Sequence, residues 1–410
     1  MGVPVEPGLL RDALAVELTD EGVDPGRVID ELVAGVDPGL VGSAGPRYFG
    51  FVTGQALPAA MAADMLASVW DQNAFTYVSS PAAAVVEEIA AGWLLDVLGL
   101  PPDAGVGFVT GAQMANTTCL MTARNVMLAR AGWDIDGGLF GAPPLRVIAG
   151  AEAHVTVFAA CRFAGLPRPE LVPVNAQGAL ERLELEGPAI VCAQAGNVNS
   201  GAFDDLQALA GVCREHGAWL HVDGAFGLWA AASSRRALLA GFEHADSWAA
   251  DAHKWLNVPY DSGLAIVRDA EAMRAAMGLT AAYLTGSEHR QNFQYTPEAS
   301  RRARGFAVYC ALRSLGRHGL RNLVDRCCDH ATSFAQLLSE GGAEILNDVV
   351  LNQVVVACDP EAVTRIQQDG TCWAGATHWR GRDALRISVS GYGTTREDVE
   401  RSARAILACL

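Results

Sequence analysis

The residues with the clearest chemical potential in this sequence lie in two short segments, 221–225 and 251–255. The first reads HVDGA and contains Asp223, and the second reads DAHKW and contains Lys254. Each segment follows an apolar, β-like run, so the aspartate and the lysine are predicted at the exits of adjacent parallel strands. Open α/β sheets bind their ligands at that edge. The sequence therefore predicts a ligand site there.

A lysine and a buried aspartate at such an edge match the needs of one cofactor. The lysine amine can form a Schiff base with an aldehyde, and the carboxylate can keep a heterocyclic nitrogen protonated. Pyridoxal 5′-phosphate (PLP) carries an aldehyde, a pyridine nitrogen and an anchoring phosphate. Taken singly, residues 251–255 are equally compatible with a surface turn, and Asp223 with a helix cap. Their order and spacing favour PLP.

A glycine-rich segment, residues 107–116, leaves a predicted strand and enters a predicted helix. Free N–H groups at a helix N-terminus stabilise a phosphate dianion. The segment lacks the lysine of a P-loop, and its glycine spacing departs from the dinucleotide-binding pattern. By itself it could be a tight turn, but ahead of Asp223 and Lys254 it is predicted to be a phosphate cup.

His154 follows the predicted strand that ends near residue 149. An imidazole at that place could stack on the pyridine face opposite Ala225 and could also meet a substrate carboxylate. The alternative is a hydrogen-bonded core histidine.

Composition and charge narrow the class of protein. The chain has 410 residues, half of them apolar, with a formal charge of −16 and a pI near 5.0. Such a balance argues against a nucleic-acid or anionic-membrane partner, because no basic stripe is available to neutralise phosphates. The one basic cluster, residues 301–304, is expected to open a solvated helix.

Other sequence features suggest a cytoplasmic location. The N-terminus shows no secretory signal, and no apolar run is long enough to cross a bilayer. The ten cysteines are scattered without metal-ligand spacing, which suits a reducing compartment and predicts no metal site.

The elements that must position these residues alternate between strand and helix. This alternation predicts an α/β fold with a mainly parallel sheet. We expect an N-terminal arm (1–60) with one helix over 9–18, a large PLP-binding domain (61–285) and a small C-terminal α+β domain (305–410). The polar segment between them (286–304) is a mobile active-site loop by the family resemblance described below. The strands are predicted at 107–110, 145–149, 189–193, 219–223, 247–250, 264–267, 351–357 and 384–389, and further helices at 301–340 and 396–410.

These motifs together resemble the group II PLP-dependent decarboxylases, the aromatic-L-amino-acid and glutamate decarboxylase family of fold type I, which has an aspartate aminotransferase-like large domain. The matching pieces run in the family's order: 46–51 (PRYFGF), 80–82 (SPA) with Glu87, 110–116 (TGAQMAN), His154, 221–225 (HVDGA), Asp246 with Ser247, 251–255 (DAHKW) and 385–390 (LRISVS).

The resemblance implies a role for each matching residue. It makes Lys254 the Schiff-base lysine and Asp223 the partner of the pyridinium nitrogen, with His154 stacked on the ring and Ala225 beneath it. Around the phosphate it implies Gly111, Ala112, Gln113 and His253. Near the phenolic oxygen it implies Asn197 and Asn199. It further implies a homodimer with shared active sites. The cup departs from relatives, which commonly read GGTEAN where this chain reads GAQMAN.

The resemblance implies decarboxylation of an L-amino acid, releasing CO₂ and an amine through a quinonoid intermediate. In the family a loop delivers a tyrosine that protonates this intermediate, and here the candidate is Tyr295, beside Phe293. Without that proton, oxygen could divert the reaction toward an aldehyde. Tyr295 could equally be a plain loop anchor.

Candidate substrate contacts are Phe51, Arg386 and, from the neighbouring subunit, Trp70, Asn73 and Phe75. The aromatic members favour an aromatic substrate. A basic amino acid remains an alternative substrate, because Asp71 and its neighbours are polar or acidic. A fold type I aminotransferase, with Arg386 as a carboxylate clamp, and a non-catalytic PLP-binding protein are the competing classes.

Overall fold

A computed structural model of the chain describes residues 5–281, 284 and 288–410. Within this part, the chain opens with two helices, α1 (Pro7–Leu14) and α2 (Pro25–Val36), which contact each other. The prediction of a single helix over 9–18 was wrong, because Asp24 caps a second helix whose first residue is Pro25. Most apolar side chains of this arm are exposed, among them those of Leu9, Val16, Leu18, Ile29, Leu32 and Val33.

The remaining elements follow in chain order. They are α3 (Pro58–Trp70), α4 (Pro81–Leu98), β1 (Gly105–Val109), α5 (Ala112–Arg130), β2 (Val147–Gly150), α6 (Val155–Phe163), β3 (Glu170–Val172), β4 (Ile190–Gln194), α7 (Leu206–Glu215), β5 (Trp219–Asp223), β6 (Ser247–Asp251), β7 (Gly263–Val267), α8 (Ala270–Met277), α9 (Gly305–Glu340), β8 (Gln353–Ala357), α10 (Pro360–Asp369), β9 (Gly375–Trp379), β10 (Arg382–Ser388) and α11 (Arg396–Cys409).

The large sheet confirms the predicted α/β architecture. Within the described residues it holds seven strands in the order β1-β7-β6-β5-β4-β2-β3, and β7 alone runs antiparallel to its neighbours. The strands β1, β2, β4, β5, β6 and β7 are buried along their whole length, as expected where helices cover both faces. The carboxyl ends of β1, β2, β4, β5 and β6 consequently meet at one edge.

A second sheet, with the order β8-β10-β9, is antiparallel and lies in the C-terminal part of the described chain. One continuous apolar core joins it to the large sheet, extending from Phe49 to Ile406. Strands β3 and β9 were not predicted. Both carry exposed positions, so their sequences lack the continuous apolar signal of the buried strands.

The basic cluster at 301–304 does not open a solvated helix, and that prediction was wrong. Arg301 is buried and makes a bidentate ion pair with Glu87 at 2.7 and 2.8 Å. Arg302 pairs with Asp64, and helix α9 begins only at Gly305. The arginines therefore tie the segment before α9 to α3 and α4.

The expected mobile loop, 286–304, lies partly outside the described residues, at positions 286 and 287. Residues 288–304 are described, and they include a short 3₁₀ helix at Asn292–Tyr295. Buried contacts of Asn292, Tyr295 and Arg301 hold this part against the body of the protein. Among the described residues, no helix is long and apolar enough to cross a membrane.

Candidate active site

The site is a cavity of about 370 Å³ at the edge where the parallel strands end. The turns after β1, β2, β5 and β6 all contribute side chains to it, so residues far apart in sequence become neighbours. Its walls contain Phe51, Val52, Gly111, Ala112, Gln113, His154, Thr156, Gln194, Gly196, Val198, Asp223, Ala225, Phe226, Asp251, His253, Lys254 and Arg386.

Lys254 lies in the turn after β6, as predicted, and it is the only lysine in the sequence. Its Nζ atom lies 2.9 Å from Oδ2 of Asp251, the last residue of that strand. The other carboxylate oxygen, Oδ1, accepts the backbone N–H of Ala112 at 2.5 Å. Asp251 thus connects the lysine to the start of helix α5, a role that the sequence analysis did not assign to it.

Asp223 ends β5, is buried, and borders the cavity. Its Oδ2 atom accepts an N–H from the side chain of Asn116 at 3.1 Å, and its Oδ1 atom accepts the backbone N–H of Ala225 at 3.2 Å. The arrangement suits a carboxylate that must hold a protonated ring nitrogen.

The predicted phosphate cup lies where β1 passes into α5. The first N–H groups of a helix have no intrahelical partner and can bind an anion. A Cβ atom added to Gly111 would lie 3.1 Å from Cε1 of His253 and 3.3 Å from Oδ1 of Asp251, so glycine keeps this space open. Residues 111–113 and His253 fit the phosphate of PLP, while the Asp251 carboxylate places a negative charge beside it.

His253 is oriented by the turn that precedes β7. Its Nδ1 atom accepts the backbone N–H of Ser262 at 3.0 Å, so in the neutral ring the hydrogen is on Nε2. Nε2 lies 3.3 Å from Oδ1 of Asp251. Burial lowers the pKa of His253, and the ring stacks on Tyr260.

His154 caps the N-terminus of α6 and borders the cavity. Its Nδ1 atom is 2.8 Å from Oγ1 of Thr156 and accepts the backbone N–H of that residue at 3.4 Å. The neutral ring therefore carries its hydrogen on Nε2. Burial lowers the pKa of His154, which keeps the imidazole uncharged at neutral pH.

Asn197 and Asn199 do not face the cavity, contrary to the prediction. The amide of Asn197 is buried in its own turn, where it accepts the N–H groups of Asn199 and Ser200 and donates to Glu152. Asn199 accepts the hydroxyl of Thr377. The cavity wall in this region is formed by Gln194, Gly196 and Val198 instead.

Tyr295 also lies away from the cavity, so the prediction that it reaches over the site is wrong within this chain. Its side chain is 8% exposed and packs in the core beside β1 and α8. Arg274 donates to its hydroxyl at 3.0 Å, and the guanidinium of Arg290 lies 3.8 Å from the ring centroid. These contacts make Tyr295 an anchor of the segment before α9.

The residues expected from a neighbouring subunit lie outside the cavity of the chain that contains them. Trp70 packs edge-on against Phe306, and Phe75 contacts Phe293. Asn73 accepts the backbone N–H of Arg301 and donates to a serine hydroxyl. Their contribution to a partner's site stays a prediction.

Phe51 and Arg386 both border the cavity, and their contact with a substrate stays a prediction. Phe51 is 63% exposed and lies at the mouth, where its ring is 5.4 Å from that of Trp373. Arg386 is anchored by donating to the carbonyl oxygen of Val198 at 3.1 Å. The cavity thus offers one guanidinium and one exposed aromatic ring besides the groups that suit PLP.

Comparison with known proteins identifies relatives with the same architecture. Residues 7–358 match the family model described as the pyridoxal-dependent decarboxylase conserved domain. An aromatic-L-amino-acid decarboxylase of Bacillus atrophaeus is 28% identical over 78% of this chain and 69% of its own length. Tryptophan decarboxylase 1 of Oryza sativa subsp. japonica is 28% identical over 97% of this chain and 87% of its own. The crystal structure of Oryza sativa TDC with PLP and tryptamine superimposes with a TM-score of 0.89 at 26% identity, covering 99% of this chain and 92% of that one.

Proposed function

The chain belongs to the pyridoxal-dependent decarboxylase family and is a PLP-dependent carboxy-lyase, and we propose that its substrate is an aromatic L-amino acid. The family and the cofactor inferred from the sequence motifs are thereby confirmed. The observation that carries the substrate proposal is that Lys254, Asp223 and His154 border one cavity whose mouth contains Phe51.

When bound, PLP supplies an aldehyde for covalent attachment and a ring that withdraws electrons from the α-carbon of an amino acid. Lys254 provides the amine for attachment, and Asp223 provides the carboxylate for the ring nitrogen. The start of α5 would hold the phosphate with Gly111 and Gln113, because the N–H of Ala112 is already donated to Asp251. His154 and Ala225 border the same cavity and would contact the ring.

His154 and Arg386 are the groups that can receive the α-carboxylate of the substrate. Because Nδ1 of His154 is occupied by Thr156, its Nε2–H is the group left to donate to a carboxylate oxygen. The substrate carboxylate loses its negative charge when CO₂ leaves. A neutral donor binds that carboxylate less tightly than an imidazolium would, so it stabilises the ground state less. Arg386, whose guanidinium donates to the carbonyl oxygen of Val198, would help to orient the substrate.

The preference for an aromatic side chain rests on the cavity mouth. Phe51 and Val52 have φ angles of 53° and 57°, in the left-handed region that bulky and β-branched residues avoid. Backbone strain of this kind is found at functional sites, where the fold holds a side chain in place. Phe51 is thereby kept at the entrance beside Trp373 and would pack against an aromatic substrate. Relatives that act on aromatic amino acids support the same substrate class.

We further propose that the active unit is a homodimer. The exposed apolar side chains of the N-terminal arm and of α3, such as Leu18, Val69 and Trp70, would be covered by a second copy. In that assembly Trp70, Asn73 and Phe75 of one subunit would complete the cavity of the other. Gel filtration that gives an active monomer would contradict this proposal.

The reaction can be tested with purified protein, PLP and a panel of L-amino acids that includes tryptophan, tyrosine, phenylalanine, histidine, lysine and glutamate. CO₂, amine, keto acid and aldehyde are followed together, with Lys254→Ala as the inactive control. The proposal predicts equal amounts of amine and CO₂ with an aromatic substrate. Keto acid that depends on an added acceptor, or aldehyde in place of amine, would overturn it.

A further inference from the structure

A chain of five hydrogen-bonded side chains extends from the cavity into the core behind Asp223. Trp219, His221 and Asp223 occupy alternate positions of β5 and therefore point to the same face of the sheet. Ser247 lies opposite His221 on β6, and Asn116 reaches this face from α5. The chain is thus assembled from three elements around one strand.

The distances connect all five side chains. Nε1 of Trp219 and Nδ1 of His221 both lie 2.9 Å from Oγ of Ser247. Nε2 of His221 lies 2.9 Å from Oδ1 of Asn116, whose Nδ2 is 3.1 Å from Oδ2 of Asp223. All five residues are at most 5% exposed. Solvent water therefore has little access to these groups.

The two ends of the chain, together with a neutral imidazole, determine the direction of the hydrogen bonds. An ionised carboxylate can only accept, so Asn116 must donate to Asp223 through its NH₂ group and accept from His221 through its oxygen. An indole can only donate, so Ser247 accepts from Trp219 and has its own hydroxyl hydrogen left for His221. Asn116 therefore requires a hydrogen on Nε2 of His221, and in the neutral ring Nδ1 accepts the Ser247 hydroxyl.

The surroundings of His221 agree with this protonation state. Complete burial lowers the pKa of His221 to about 3, so the ring is uncharged at neutral pH. Replacement by an apolar residue would leave the oxygen of Asn116 without its donor. The amide would then be free to turn away from Asp223.

We propose that His221 is a positioning residue: its Nε2–H, fixed by Ser247 and Trp219, holds Asn116 in the orientation in which its amide donates to Asp223 and orients that carboxylate for the ring nitrogen of PLP. His221 is completely buried and is not among the residues that border the cavity. This inference rests on the PLP site alone and does not depend on which amino acid is decarboxylated.

Two substitutions of His221 separate this role from simple core packing. In His221→Gln the amide can still donate to Asn116 and accept from Ser247, whereas in His221→Leu neither bond can form. Val222→Ala is the matched control, because Val222 is equally buried on the same strand but points to the opposite face. All three variants are prepared as holoenzymes with 15N-labelled PLP.

The measurements are the dissociation constant of PLP and the pH midpoint at which the 15N signal of the ring nitrogen shifts. For His221→Leu we expect a dissociation constant raised about tenfold and a midpoint lowered by about one pH unit, because a hydrogen bond that supports a charged group is lost. His221→Gln and Val222→Ala should keep the wild-type midpoint, even where their melting temperatures fall.

A wild-type midpoint in His221→Leu would overturn the proposal, as would a midpoint in His221→Gln that equals that of the leucine variant. If His221→Leu does not fold, Ser247→Ala takes its place, because it removes the hydroxyl that fixes the tautomer. In Ser247→Ala a lowered midpoint supports the proposal and an unchanged midpoint overturns it.

Discussion

The buried neutral His221 predicts how the stability of this protein depends on pH. Its pKa is about 3 in the native chain, against about 6.5 for an exposed histidine. Between these two values the unfolded chain binds a proton at this imidazole and the native chain does not. Stability is therefore lost as the pH falls below 6.5. At pH 4.5, two units below the unfolded value, the loss is about 3 kcal/mol, at about 1.4 kcal/mol per unit.

The groups around His221 do not offset this loss of stability. Its hydrogen-bond partners Asn116 and Ser247 do not titrate. Cys192 lies opposite His221 on β4, and Cys119 lies on α5. Burial raises the pKa of both thiols, that of Cys119 to about 12, so both stay uncharged between pH 4.5 and pH 7. Asp223 is separated from the imidazole by Asn116.

The assay is urea unfolding at pH 7.0 and pH 4.5, at equal ionic strength, for wild type and His221→Gln. The glutamine variant has no proton to bind here, so its loss of stability should be about 3 kcal/mol smaller. Buried Asp204, whose pKa is raised to about 7 by desolvation, acts in the opposite sense in both proteins and cancels. Equal losses in the two proteins would refute the account of His221, and Val222→Ala should lose as much as wild type.

Three further predictions concern the cofactor site, the fold and the substrate. Asp251→Asn should bind PLP about tenfold more tightly in equilibrium dialysis, because it removes a negative charge beside the phosphate cup and keeps an acceptor for the helix N–H; weaker binding would contradict this. Glu87→Gln leaves buried Arg301 without its carboxylate and should lower the free energy of unfolding in urea by about 3–5 kcal/mol. Asp64→Asn removes a partly exposed ion pair and should lower it by at most about 1 kcal/mol. Equal losses in the two variants would refute the burial argument. Phe51→Ala should raise KM for an aromatic substrate about tenfold and leave kcat nearly unchanged, and an unchanged KM would exclude Phe51 from the substrate pocket.

The parts of the site that lie next to strand ends could be predicted from the sequence. Lys254, Asp223, His154 and the Gly111 turn each follow a continuous apolar run, and the topology of a parallel sheet brings such positions to one edge. Strand β5 was predicted at its observed bounds, because both of its faces are buried and its apolar signal is strong.

Residues that act across elements were missed or misassigned. Asn116 lies within a helix whose contact with β5 no local pattern reveals. Tyr295 falls within the segment that the sequence analysis assigns to a mobile loop, 286–304. The fold instead places it in the core, where arginines satisfy its hydroxyl and cover its ring.

Borohydride reduction of the holoenzyme, followed by peptide mass spectrometry, tests the central claim most directly. Because Lys254 is the only lysine in the sequence, no other lysine side chain can carry the pyridoxyl group. We expect one pyridoxyl group per chain on the peptide that contains Lys254, and none there in Lys254→Ala. A wild-type chain without a pyridoxyl group on this peptide, at saturating PLP, would contradict the assignment of the site.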